Sequence, residues 1–220
     1  MRLFSFSFSG AEPLFYAVSS MMTKIARISV LLWVGFIGNA LADRVIIDYP
    51  QLINSARSQI GITTSYDPSY RKLSYPGGDV DFRTGVCTDV LIRALREQGI
   101  DLQLEVHKDM GANFDSYPAR WGLDRPDRNI DHRRVANLMT FFDRQASALE
   151  LSTDSVAYRP GDLVAWDLGG GVLHIGIVSD LNTEQGTPLI IHNIGAGTKE
   201  EDILFEYRII GHYRLAFLEI

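Results

Sequence analysis

The apolar positions of this chain change period once, from helical spacing in the first two thirds to alternation in the last third. In the run from Val86 to Leu95, residues Val86, Val90, Leu91, Ala94 and Leu95 recur at helical spacing, and Gly99 stops the pattern. Cys87 or Thr88 opens this helix, and Arg93, Arg96 and Glu97 would form its polar face. Residues 53–60, entered through Tyr49-Pro50, read as a shorter helix. Residues 135–144 read as another, with Leu138, Met139, Phe141 and Phe142 available to a core. Residues 61–78 hold Pro68, Pro76 and Gly77-Gly78 and read as loop. Residues 107–137 are polar and aromatic with little periodicity, a long insertion of the kind that often carries function. Residues 163–166, 174–179, 189–194 and 207–218 read as strands, with Gly169-Gly170-Gly171 and residues 182–187 as hairpin loops. Helices first and strands last predict an α+β fold. N-terminal helices would pack on an antiparallel sheet built from the C-terminal third.

The N-terminus does not belong to that pattern. Lys24 and Arg27 precede an apolar run over 28–37, and Ala40-Leu41-Ala42 leads into Asp43-Arg44. This is the layout of a secretory signal peptide over residues 1–42, with an apolar run short of the ~20 residues of a membrane span. Met21 and Met22 offer an alternative translation start that would leave residues 1–20 outside the protein. Residues 43–220 would then form a single exported, periplasmic domain. The chain's formal charge of −6 becomes more negative once Arg2, Lys24, Arg27 and Glu12 leave with the signal. Such a balance gives no basic face for nucleic acid and no polybasic patch for anionic lipid. The expected membrane contact is at most an uncleaved signal anchor.

Cys87 is the sole cysteine of the 220 residues, so no intramolecular disulfide can form. A lone thiol in an exported protein is either a buried core residue or a working group. At a helix start it meets unsatisfied N–H groups and a partial positive charge, which favour the thiolate and can hold an oxyanion. A nucleophile needs a base, and the base an orienter. His174 opens a strand on the face of Gly176 and Val178, and His192 lies on the next strand; Asn193, the alternative orienter, points to the other face. Asp89 is either an acid on the helix dipole or a contact to a substrate amine. In residues 129–134, Asp131 would cap a helix with Arg133 and Arg134 facing solvent, or the arginines would bind a carboxylate. Trp121 would line a cleft or pin the long segment, and His107 and His212 read as structural or exposed. Cys87, His174 and His192 are acceptable zinc ligands, but no short His or Cys spacing accompanies them, so neither metal nor cofactor is expected.

The order of Cys87 at a helix, Gly161-Asp162-Leu163-Val164, then His174-Ile175-Gly176-Ile177-Val178-Ser179 and Ile190-Ile191-His192 resembles the NlpC-type papain-like hydrolases of bacterial cell-wall peptides. That resemblance implies a Cys87–His174–His192 site, with Tyr75, ahead of Gly77-Gly78, near the oxyanion. Val86-Cys87-Thr88-Asp89 departs from that family's usual Asp-Cys-Ser-Gly. A closer resemblance is to an exported bacterial family of unknown function, carried by Gly85-Val86-Cys87-Thr88-Asp89-Val90, by the stretch from Trp121 to Arg134, and by His192-Asn193-Ile194-Gly195. The implied function is a cysteine hydrolase cleaving an amide through a thioester, with peptidoglycan or a related envelope peptide as partner. The alternatives are a non-catalytic envelope-binding module on the same fold, or an acyltransferase or thioesterase.

Overall fold

The computed structural model describes residues 44–219. In chain order the strands are β1 (Arg44–Ile46), β2 (Ser65–Tyr66), β3 (Thr84–Gly85), β4 (Leu163–Asp167), β5 (Leu173–Asn182), β6 (Pro188–His192), β7 (Lys199–Glu201), β8 (Arg208–Tyr213) and β9 (Phe217–Glu219). The helices are α1 (Tyr49–Arg57), α2 (Cys87–Arg96), α3 (Leu102–Asn113) and α4 (Val135–Arg144). The signal-peptide reading lies outside the described residues. No helix among the described residues is long and apolar enough to cross a membrane.

The fold is α+β. Five strands form an antiparallel sheet in the order β7-β6-β5-β4-β8, and the helices cover one face. Strand alternation divides the core. Leu163, Ala165, Ile175, Ile177 and Ile191 join Leu52, Leu91, Leu95, Leu138 and Phe142 on the helix side. Val164, Trp166, Val178 and Ile190 pack on the other side with Tyr158, Ile203 and Leu204. A sheet covered on both faces explains why its central strands are so uniformly apolar.

Asp162 anchors the entry to β4. It is fully buried and takes donors from His212 Nε2 at 2.8 Å, Arg159 N at 2.9 Å and Arg214 Nη1. Several donors on one carboxylate are what make a buried charge tolerable. Gly161 before it has φ +86°, and a Cβ there would fall 2.6 Å from the Tyr49 ring.

Several elements differ from the sequence reading. Helix α1 starts earlier, because Asp48 caps it by accepting Gln51 N at 2.9 Å and Pro50 suits its first turn. The supposed aperiodic insertion at 107–137 begins inside helix α3. That helix buries Gln103 and Glu105 along with Leu102, Val106 and Met110, so its inner face is not apolar in sequence. The closing segment 207–218 is not one strand: it holds β8 and then the start of β9, which pairs with β1 in a separate two-stranded sheet. Arg93 does not face solvent. The 61–85 segment folds over it, giving two hydrogen bonds to Asp79 at 2.9 and 3.0 Å and one to Thr63.

Candidate active site

Cys87 sits in the first turn of α2, 3% exposed. Val86 is the extended residue before the helix, and its N–H donates to Asp89 Oδ2 at 2.6 Å. Valine has no side-chain acceptor to return the bond, so only the acidic half of a capping box is formed. Arg133 takes the rest of Asp89, with Nε to Oδ1 at 2.9 Å and Nη2 to Oδ2 at 2.8 Å. Both side chains are almost wholly buried. Asp89 therefore faces Arg133 and not a substrate amine. Arg133 faces inward because the buried carboxylate draws it there. Asp131 caps no helix: it accepts from Asp127 N and from Arg134 Nη1 at 2.9 Å, and α4 starts without a side-chain cap.

The sulfur of Cys87 lies against backbone. The N–H groups of Ile175, Thr88 and Cys87 itself favour its thiolate, but burial is the larger influence and Asp89 adds to it. Together they push the thiol up to about 11. The expectation that a helix start would ionise this thiol is thus overturned by its enclosure.

Ile175 is the neighbour of His174 on β5. His174 Nε2 lies 3.0 Å from His192 Nδ1, with the rings edge to face. Trp166 flanks His174 at 5.7 Å between ring centres. His192 faces Gly176 across the sheet, where a Cβ would fall 3.2 Å from His192 Cβ and 2.6 Å from Ile190 Cγ2. On the far side of His192, Nε2 is 3.4 Å from Glu201 Oε2, too poorly directed for a good hydrogen bond. That acid favours a proton on His192 Nε2. His192 Nδ1 then accepts from His174 Nε2, and the lone pair of His174 is left on Nδ1. Burial, and then the neighbouring His192, pull His174 down to about 3; burial lowers His192 as well. The resting site therefore holds a neutral thiol and neutral imidazoles. Among the described residues no hydrogen bond joins the Cys87 thiol to the His174 ring.

A cleft of about 450 Å³ opens over Cys87. Tyr66, Tyr70, Trp121 and Leu173 line it, and Arg120, Arg133 and Arg134 supply its charge. Trp121 lies under the Arg134 guanidinium at 4.0 Å. Tyr75 is elsewhere, edge-on to His107 and beneath Arg128. The tyrosine beside the thiol is Tyr66, whose hydroxyl is pushed up by burial, then by Cys87 and Asp89. Asn193 is a loop clamp: Nδ2 donates to Ser65 O and Gly85 O, and Oδ1 accepts from Gly195 and Gly197 N–H. It makes no hydrogen bond to either histidine of the pair. No group of three or more potential metal ligands converges among the described residues.

The sequence reading missed Tyr66, Arg120 and Glu201; Arg133, read there as facing solvent or binding a carboxylate, binds that of Asp89. Tyr66 comes from a two-residue strand that pairs in parallel with Thr84–Gly85 just before Cys87, too short to show a period. Arg133 lies 44 residues from Asp89.

Fold and site define an α+β domain with a cysteine at a helix start, on the floor of an arginine-lined cleft, beside a histidine pair. The chain belongs to the family described as "Domain of unknown function (DUF1287)", which matches residues 53–215. A curated relative in Escherichia coli (strain K12), described as "Uncharacterized protein YijF", is 56% identical over 163 residues, 74% of this chain and 80% of that protein. Among solved structures, NlpC1 from Trichomonas vaginalis is similar at 15% identity and a TM-score of 0.40, over 78% of this chain and 45% of that one. NlpC2 from the same organism gives 14% and 0.37, over 76% and 47%. This chain thus spans about half the length of each of those two structures.

Proposed function

We propose that this protein is a cysteine hydrolase of papain-like layout that cleaves an amide bond through a thioester. The carrying observation is the placement of Cys87. Its sulfur, at a helix start under an open cleft, takes the N–H of Ile175, the residue next to His174 of the His174–His192 pair. In the proposed reaction the sulfur attacks the carbonyl carbon and His174 Nδ1 receives the thiol proton. The N–H groups of Cys87 and Thr88 hold the oxyanion, and the Tyr66 hydroxyl is placed to assist. Collapse expels the amine, which takes the proton from His174. Water then gives its proton to His174, its oxygen attacks the thioester, and the acid and free thiol are released. His192 orients the base, and Glu201 favours the tautomer in which it can do so. Because burial keeps the thiol protonated at rest, the attack needs His174 to take its proton.

The proposed substrate class is a cell-wall stem peptide, and the proposed location is the periplasm, from the signal-like layout of residues 24–42. The test is digestion of purified muropeptides with wild type and Cys87→Ala. New products formed by wild type alone support the reading; identical product profiles refute it. A second reading, a non-catalytic envelope-binding module, is favoured by the raised thiol and the missing Cys87–His174 hydrogen bond. It predicts saturable muropeptide binding with no Cys87-dependent product.

A further inference from the structure

We propose that Arg120 is a specificity-determining residue that binds a carboxylate of the substrate, so that the cleft takes an acidic peptide. The inference rests on the reading of the Cys87 cleft as a substrate site. The chain carries a formal charge of −6, yet the side chains lining this cleft include Arg120, Arg133 and Arg134 and no aspartate or glutamate. The three arginines are not equivalent. Arg133 is neutralised by Asp89 behind it, and Arg134 is held by Asp131 and by the Trp121 ring. Arg120 is exposed and has no ion pair among the described residues. Its hydrogen bond runs from Nη2 to the carbonyl of Gly171, at 3.2 Å.

That bond has a functional consequence. Gly171 belongs to the glycine loop that leads into β5 and His174. Arg120 therefore reaches from the long segment after α3 to the loop that introduces the base, and stands on the wall of the cleft that holds Cys87. One guanidinium nitrogen is engaged by a carbonyl, and the remaining N–H donors are free for a ligand. A planar guanidinium with free donors binds a carboxylate in two parallel hydrogen bonds, which a lysine ammonium cannot reproduce. Tyr66, Tyr70 and Trp121 line the same cleft and provide flat surfaces for the peptide.

The experiment measures binding in Cys87→Ala protein, so that turnover plays no part. The probes are the free cell-wall stem tetrapeptide and the same peptide with its carboxylates converted to carboxamides. The free acid is expected to bind about ten- to hundredfold tighter, the range of a charge-assisted hydrogen bond. Adding Arg120→Gln is expected to remove that preference while leaving the carboxamide's affinity within about twofold, and Arg120→Lys to restore only part of it. Equal affinity for the two peptides, no binding of either, or an unchanged preference in Arg120→Gln overturns the proposal. Retained preference without Cys87-dependent cleavage removes only the hydrolase reading. Cleavage of acid and carboxamide at equal rates by wild type and Arg120→Gln removes only this one.

Discussion

Replacing Asp89 by asparagine tests whether the buried pair with Arg133 holds the mouth of the cleft. The two side chains are 4% and 2% exposed, so solvent screening is slight. Asparagine can still accept the Val86 N–H, which spares most of the cap. What it loses is the charge opposite Arg133. Leaving one partner of a buried pair uncompensated costs about 3–5 kcal/mol. For a domain of this size that lowers Tm by on the order of 10 °C. The measurement is urea unfolding by far-UV circular dichroism on Asp89→Asn, Arg133→Met and the double variant. The double variant should recover more than half of the loss, because no charge is then stranded. A second readout is chemical. Asp89 helps to hold the Cys87 thiol up, so Asp89→Asn should alkylate faster than wild type at the same pH. A loss below about 1 kcal/mol, or single-variant effects that simply add, would refute the argument.

The remaining predictions concern the thiol, the histidines and one glycine. With its thiol near 11 against an ordinary 9, folded Cys87 should react with iodoacetamide at pH 8 on the order of a hundredfold more slowly than the urea-unfolded protein. Equal rates would contradict the enclosure. His174 and His132 are held near 3 and 4 by burial. For each the folded value lies below the unfolded 6.5, so the contribution to stability is present above pH 6.5 and is lost as pH falls toward 3–4. Urea midpoints should therefore drop over that window, and His174→Gln/His132→Gln should flatten the decline. Gly176→Ala would press on Ile190 and His192 and should cost about 1–3 kcal/mol in urea unfolding. A neutral substitution there would mean that β5 and β6 part easily.

Much of the fold was legible because its elements obey simple periods. Helix α4 coincides with the amphipathic run that ends at Arg144, and α2 starts at Cys87 as its spacing suggests. Strands β4, β5 and β6 are apolar on both faces, so their existence was plain, but their facing was not. The structure puts Ile175 and Ile177 toward the helices and His174 with Trp166. The pairing of His174 with His192 was readable, because two strands joined by a short hairpin must bring same-face residues near each other. Polar burial was not readable. Gln103 earns its place in α3 by binding the backbone at Ser74, Gly78 and Arg128, partners 25 to 29 residues away. Nor was the state of the thiol. The helix start was visible in sequence and argues for ionisation, while the enclosure that outweighs it is a property of the packed domain.

The central claim is that Cys87 carries the acyl group. The most direct measurement is acid quench of the protein with its muropeptide substrate during turnover, followed by proteolysis and mass spectrometry of the peptide containing Cys87. An acyl mass is expected on that peptide, removed by hydroxylamine, with no adduct in Cys87→Ala, which is also inactive. Undiminished cleavage by Cys87→Ala, with no adduct on the wild-type peptide, would contradict it.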